Sequence, residues 1–280
     1  MRILVLGARG MLGQDLVPLL SSTYEVIARD IQDFDITDAQ RVEEEILRLK
    51  PQVVINAAAY TDVDGCESNQ ELAFSVNAGG AGNIAHACTL VKAKMIHLST
   101  DYVFDGSSSK PYQEDDAPNP LNIYGLSKWQ GEIRIQNSSA PYLIIRTQWL
   151  YGAHGKNFVD TIIKAAEKEK ELRVVDDQKG SPTYTKDLSW AIKELLEKDG
   201  QGIFHVANSE TCTWFEFARE ILRERKFDQV SIIPIPSSEL TRPAKRPANS
   251  VLNCQKFERL TGKRLRPWKE ALKDYLASRH

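Results

Sequence analysis

The chain has 280 residues, of which 42% are hydrophobic and 26% charged, with a formal net charge of −2. These proportions exclude disordered and fibrous classes and leave one large α/β unit, or a larger unit with a smaller one, as the expected organisation. Basic residues alternate with acids along helices, as from Glu167 to Glu171, which excludes a nucleic-acid surface.

Cys66, Cys88, Cys212 and Cys254 lie far apart with no C-x-x-C pair, and the five histidines are scattered. Reduced thiols in a cytoplasmic protein and no metal cluster are therefore expected. The first apolar run, Ile3 to Leu6, is too short for a signal-peptide core, and no apolar stretch of about 18 residues follows, so no membrane span is expected.

Ile3 to Leu6 predicts a buried strand, Leu12 to Leu20 a helix, Glu25 to Ala28 a second strand and Val42 to Leu49 a second helix. Thr37 with Gln40 predicts a capping box at the start of that helix. Val53 to Ile55 and Met95 to Leu98 read as strands on either side of a helix within Leu72 to Val91; Tyr124 to Ile135 reads as a helix and Tyr142 to Ile145 as the next strand. Strict alternation of helices with strands apolar throughout predicts a Rossmann-type doubly wound parallel sheet covered on both faces. Beyond residue 150 helices are expected over Phe158 to Lys168, Lys186 to Glu197, Phe215 to Glu224, Gln255 to Leu260 and Trp268 to Leu276. Strands are expected at Leu172 to Val175, Ile203 to Val206 and Val230 to Ile235, with a proline-rich loop from Pro234 to Pro247.

Gly7, Gly10 and Gly13 follow the first strand and open the first helix. Glycines there permit a tight turn and a close backbone approach, and the helix N-terminus offers N–H groups to a pyrophosphate. Asp30 ends the second strand, where a carboxylate accepts from an adenosine ribose and favours NAD; Arg29 beside it and Arg9 in the glycine turn suit a 2′-phosphate and favour NADP. The choice between NADH and NADPH stays open. Asp35 and Ile36 are placed to meet the adenine, and Asn56-Ala57-Ala58-Ala59 supplies small residues where backbone lies flat against a cofactor.

Tyr124 and Lys128 stand four residues apart and share a helix face. An ammonium beside a phenol lowers the phenol's pKa and lets it exchange a proton with a carbonyl near neutral pH. Ser99 to Gly106 begins as the fourth strand ends, at the carboxyl edge where such sheets bind ligands, and supplies hydroxyls ahead of the tyrosine.

The glycine spacing, the Asn56 to Ala59 turn, Asn77, Thr100 and the Tyr124/Lys128 pair together resemble the extended short-chain dehydrogenase/reductase family, over nearly the whole chain. Residues 59–67, 99–104, 146–151, 177–183 and 246–252 are similar to the branch that reduces the C4 ketone of a dTDP-bound 6-deoxy-hexulose. The resemblance implies that Tyr124 donates the proton, that Lys128 binds the nicotinamide ribose and tunes Tyr124, and that Thr100 hydrogen-bonds the reacting oxygen. It implies cofactor contacts at Gly7, Arg9, Gly10, Met11, Leu12 and Gly13, at Arg29 and Asp30, and at Asp35, Ile36, Ala57, Ala58 and Ala59. Val63, Asp101, Tyr102 and Trp149 become sugar or nucleotide contacts, with plain core packing as the alternative for Val63 and Trp149.

Arg246, with Arg242 and Lys245 beside it, is a candidate for the substrate pyrophosphate, because guanidinium groups suit bidentate phosphate contacts; a solvated loop is the alternative for Arg242 and Lys245. Some members of this branch carry magnesium between subunits on C-terminal acids; residues 264–280 show no acidic cluster, which argues against a magnesium bridge. A dTDP-sugar and a second copy of the chain, in a homodimer, are the expected partners, with no nucleic acid and no membrane. The expected division is a dinucleotide-binding domain over 1–150, with a helix at about 156–170 and a strand at about 202–207 returning to it, and a mixed α/β substrate-binding domain over 171–187 and 208–280. Two other readings keep the same fold: a non-catalytic regulatory subunit similar to that of methionine adenosyltransferase, and a nucleotide-sugar epimerase or dehydratase.

Overall fold

The computed structural model describes residues 1–278, so Arg279 and His280, at the end of the stretch searched for acids, lie outside the described residues. The chain opens with β1 (Arg2–Leu6), α1 (Gly13–Ser21), β2 (Glu25–Arg29), α2 (Ala39–Leu49) and β3 (Val53–Asn56). Then come α3 (Val63–Ser68), α4 (Gln70–Phe74), α5 (Ala81–Val91), β4 (Lys94–Thr100), α6 (Ile123–Gln136) and β5 (Tyr142–Thr147). Next are β6 (Leu150–Tyr151), α7 (Phe158–Ala166), β7 (Glu171–Val175), β8 (Lys179–Gly180), β9 (Thr183–Tyr184), α8 (Thr185–Glu197) and β10 (Gly202–His205). β11 (Cys212–Thr213), α9 (Trp214–Glu224), β12 (Ser231–Ile235), α10 (Gln255–Thr261) and α11 (Trp268–Ala277) follow.

Six parallel strands form the main sheet in the order β10-β5-β4-β3-β1-β2. Chain order reverses between β1 and β3, and a sheet of this kind binds ligands outside the carboxyl ends of its strands at that reversal. Register brings the ends of β1 and β3 level, Leu6 beside Asn56, so the residues that follow emerge side by side, while β4 runs on past His97 to Thr100. One face is covered by α1, α8 and α10, through Leu16, Leu20, Leu188, Ile192, Leu195 and Phe257. The other is covered by α2, α5 and α6, through Val42, Ile46, Ile84, Cys88 and Ile135. β2 is the exception to a sheet buried on both faces: it is an edge strand, and Glu25 and Ala28 are exposed.

A third core gathers Val159, Ile162, Phe217, Ile221, Trp268 and Leu272 between α7, α9 and α11. This corrects two expectations about the division of the chain. The helix expected at 156–170 does not return to the main sheet; its apolar stripe packs on α9 and β7. α10, expected with the substrate part, instead packs on α8 and β10, with Phe257 in the main core. The strand expected near 202–207 does pair with β5.

Two local expectations also change. α2 is capped by Asp38, whose carboxylate accepts from Arg41 N at 3.0 Å, not by Thr37 with Gln40. An aspartate one residue closer to the first turn is the stronger acceptor for its orphan N–H groups. The helix expected within 72–91 is interrupted by a π-helical stretch, Ser75–Gly80. There Asn77 turns its amide to the Tyr60 backbone and to Ser127 of α6, tying the segment after β3 to α6.

Candidate active site

The reversal between β1 and β3 opens into two adjoining clefts of about 470 and 450 Å³, which share Gly7, Gly10, Ala57 and Ala59. Gly7 has a φ of +75°, and a Cβ there would lie 2.6 Å from the Ala58 nitrogen, so only glycine lets the two segments meet. No side chain caps α1, whose N-terminus follows this turn and meets the larger cleft at Leu12 and Gly13, where a helix start favours an anion. Met11, Leu12 and Gly13 line the larger cleft, and Arg9, Arg29, Asp30, Asp35, Ile36 and Ala58 the smaller. Asp30 already serves the turn: its Oδ2 accepts from Arg9 N and its Oδ1 from Ile31 N, each at 2.8 Å. Arg29 donates to the Ala28 carbonyl at 3.1 Å. Its guanidinium therefore lies back along β2.

Thr100, Asp101, Tyr102, Tyr124 and Lys128 meet on the wall of the larger cleft. β4 carries Thr100 to its carboxyl end, and α6 starts beside it because the Asn122 side chain accepts from Gly125 N at 2.8 Å. The same Asn122 donates from Nδ2 to the Lys245 carbonyl at 2.7 Å, so the proline-rich loop is latched to the helix that carries Tyr124. Thr100 donates to Asp101 Oδ1 at 2.9 Å and hydrogen-bonds the Tyr124 phenol. Burial pushes Asp101 up to about 7, against hydrogen bonds from Ser250 and Thr100.

Tyr124 and Lys128 share the cleft wall but have different immediate surroundings. Burial raises the Tyr124 phenol above its ordinary value; the Thr100 hydrogen bond opposes this, and the Asp101 charge adds to it. Lys128 is 2% exposed and points inward, donating to the Leu98 carbonyl at 2.6 Å and facing His97 Nε2 at 3.3 Å. Burial lowers it to about 8, against the charge of Glu132. Four-residue spacing fixes a shared helix face but not which group each side chain reaches along it. Behind this pair, Arg146 donates from Nη2 to Glu132 Oε2 at 2.7 Å in a buried ion pair that Ser99 joins, fastening α6 to β4 and β5.

The opposite wall is made of side chains from the second half of the chain. Trp149 stacks on Trp214 with ring centroids 3.6 Å apart and 10° between planes. Trp149 has a φ of +48°, a strained conformation for an aromatic residue, and a Cβ at Gly180 would lie 2.5 Å from its ring. Val63 lines the cleft at the start of α3. Arg246 does not line it: its guanidinium makes two bonds of 2.7 Å to Asp64 and a further bond to the Tyr102 hydroxyl. The charge of Arg242 also reaches Asp64 and Tyr102, while Lys245 is exposed in the same loop.

Sequence reasoning missed Thr147, Gln148, Lys156 and Trp214, all of which line the larger cleft. Thr147 Oγ1 and Gln148 Nε2 are buried there without a hydrogen-bond partner. Gln148 stands at the end of β5, a placement that marks ligand contacts in such sheets. Lys156, just before the helix-capping Asn157 of α7, brings a cation to the cleft wall. Among the described residues no group of histidines, cysteines and acids is arranged to hold a metal, and no helix is long and apolar enough to cross a membrane.

A profile for the RmlD substrate binding domain matches residues 1–280. The chain belongs to that family. Among its relatives are the spore coat polysaccharide biosynthesis protein SpsK of Bacillus subtilis, 43% identical over 99% of this chain and 98% of that protein, and a dTDP-4-dehydrorhamnose reductase of Aggregatibacter actinomycetemcomitans, 38% identical over 99% and 98%. A crystal structure of the dTDP-4-dehydrorhamnose reductase of Bacillus anthracis in complex with NADP is 38% identical and superimposes with a TM-score of 0.95, covering 99% of each chain. The Rossmann-type fold and the short-chain dehydrogenase/reductase resemblance agree with these relatives.

Proposed function

We propose that the protein reduces the C4 ketone of dTDP-4-dehydro-L-rhamnose to dTDP-L-rhamnose, with NADPH or NADH as reductant. The observation that carries this reading is the meeting of Thr100, Tyr124 and Lys128 on one cleft wall, next to a glycine turn that leaves room for a dinucleotide. Reductases of this name among the relatives support the substrate, and the NADP complex of one supports the cofactor.

Gly7, Gly10 and the start of α1 would hold the pyrophosphate, Asp30 and Arg29 the adenosine end, and Lys128 the nicotinamide ribose. When bound, the reduced nicotinamide supplies the hydride. Tyr124 holds its proton at neutral pH, because burial keeps the phenol above its ordinary value, and releases it to the ketone oxygen as negative charge develops there. Thr100 orients that oxygen from beside the phenol. Thr147 and Gln148 offer hydrogen bonds to the sugar hydroxyls, and the Trp149/Trp214 stack gives the nucleotide a flat apolar wall. In this reading the dinucleotide is held by residues 1–150, and the sugar nucleotide by Trp149 with segments from 171–187 and 208–280.

The test is to supply dTDP-4-dehydro-L-rhamnose with either reduced cofactor and follow nicotinamide absorbance and product. Stoichiometric oxidation with formation of dTDP-L-rhamnose is expected. Turnover without net oxidation replaces the reading with an epimerase; dTDP-sugar binding with no chemistry replaces it with a regulatory subunit.

A further inference from the structure

The Thr100 hydroxyl has one hydrogen and two lone pairs, and three neighbours draw on them. Tyr102 N donates to it at 3.1 Å and fills one lone pair. Asp101 Oδ1 lies 2.9 Å away, and the Tyr124 phenol is hydrogen-bonded to the same hydroxyl. The protonation state of Asp101 decides how the rest is shared. A carboxylate can only accept, so it takes the Thr100 hydrogen; the phenol then donates into the second lone pair, and neither hydrogen points into the cleft. A neutral acid reverses this. Its hydrogen belongs on Oδ1, because Oδ2 is buried without a hydrogen-bond partner, and from Oδ1 it fills the second lone pair of Thr100. The hydrogens of Thr100 and Tyr124 are then both released into the cleft that these residues line.

We propose that Asp101 is a positioning residue that acts through Thr100: as a neutral acid it turns the Thr100 and Tyr124 hydrogens toward the reacting oxygen, and as a carboxylate it withdraws them. The meaning of this arrangement rests on the reductase reading. A ketone oxygen has two lone pairs and gains charge during reduction, so two convergent donors serve it better than one.

Asp101 is 2% exposed, and the charged groups on the elements around it are engaged elsewhere. On α6, Lys128 donates to the Leu98 carbonyl and Tyr124 is held as a phenol. On α3, Asp64 is paired with Arg246, Glu67 accepts from Ile123 N, and burial pushes the Cys66 thiol up to about 11. Burial likewise raises Tyr102, whose hydroxyl is bonded to Arg246. Arg242 acts on Asp64 and Tyr102, and Lys156 on the far wall is exposed. Burial therefore dominates, moving Asp101 up to about 7 against the hydrogen bonds from Ser250 and Thr100. The acid prevails below that value and the carboxylate above it.

The test measures kcat/KM for dTDP-4-dehydro-L-rhamnose with NADPH between about pH 6 and pH 8, which reports groups of the free enzyme. For wild type we expect a fall of about tenfold across this range as the acid is lost. Asp101→Asn can donate from its amide to Thr100 at every pH, so its profile should change by less than about twofold. Thr100→Ala lacks the atom through which the acid acts and should be slow, with a shallower fall. A flat wild-type profile, an Asp101→Asn profile that falls like wild type, or a Thr100→Ala fall as steep as that of wild type overturns the proposal. Infrared spectra of aspartate-labelled wild type, without cofactor or substrate, should show a protonated carboxyl band at about pH 6 that is lost by about pH 8. Absence of that band at the lower pH overturns the proposal whether or not any variant folds. Absence of turnover at every pH sinks the reductase reading instead, and the band is read independently of it.

Discussion

The two walls of the cleft are built by different means. The cofactor wall is main chain: glycines and alanines at the ends of β1 and β3, brought level by strand register, with little side chain between ligand and backbone. The opposite wall is side chain: Trp149, Gln148, Lys156 and Trp214, carried there by the connections between β5 and α7 and by the first residue of α9. A main-chain wall is dictated by where small residues are, so it tolerates almost no added atom. A side-chain wall is dictated by what its groups reach, so it loses function one contact at a time.

Tyr124 stands where the walls meet, and Tyr124→Phe is expected to have the largest effect. It should lower kcat by roughly 10²–10⁴ and leave NADPH affinity unchanged, as measured by steady-state rates and fluorescence titration. Near-normal turnover would remove the phenol from the chemistry. Gly7→Ala attacks the main-chain wall, where the added Cβ meets the backbone of Ala57 and Ala58. We expect a loss of stability of about 1–3 kcal/mol and at least about tenfold weaker NADPH binding. A variant with wild-type melting temperature and cofactor affinity would show that the close approach is not needed.

Arg29→Ala should weaken NADPH by about tenfold and NADH hardly at all, if its guanidinium swings from the Ala28 carbonyl to a 2′-phosphate. Equal changes for both cofactors would mean that it stays where it is. On the side-chain wall, Trp214→Ala removes the ring stacked on Trp149. Calorimetric titration should then show dTDP-rhamnose binding weaker by about 0.5–1.5 kcal/mol with NADPH unaffected; the reverse pattern would exchange the roles of the two walls.

The smallest expected effect is electrostatic. Arg246, through its hydrogen bond first, holds the Asp64 carboxyl below its ordinary value, aided by the Ala244 N–H. A carboxylate with a depressed folded-state pKa stabilises the protein above its unfolded pKa of about 3.9, and that contribution fades as pH falls through the folded value. Because the Asp64 side chain is 36% exposed, the contribution at neutral pH is below about 1 kcal/mol. Melting curves of Asp64→Asn should therefore fall slightly below wild type at pH 7 and rejoin it in acid, once pH has fallen through the depressed folded-state value. A gap that persists in acid would assign the loss to packing.

The first wall was readable because its determinants are local. Apolar runs end in Gly7 and in Asn56-Ala57-Ala58-Ala59, and those endings are the site. Tyr124 with Lys128 was readable as a shared face, but not the direction in which Lys128 leans, since that depends on burial against β4 and on His97. The Arg246–Asp64 pair joins residues 182 positions apart, and nothing near either residue announces it. The π stretch at Ser75–Gly80 hides for another reason: one inserted residue leaves the apolar spacing on either side looking like a single helix. α7 carries the same kind of amphipathic stripe as a sheet-covering helix, and a stripe does not say which core it will join.

The parallel pairing of β10 with β5 bears on the order in which the protein becomes protected during synthesis. β5 ends at Thr147, yet its outer neighbour is not made until His205 has been added. Until then the growing chain carries a strand of apolar residues with one row of backbone groups unpaired, the kind of edge that recruits other chains. α10 then closes over β10 from still further along. A chain stopped near residue 150 would thus present an open template, and aggregation of such a fragment, rather than a soluble cofactor-binding piece, is its expected fate.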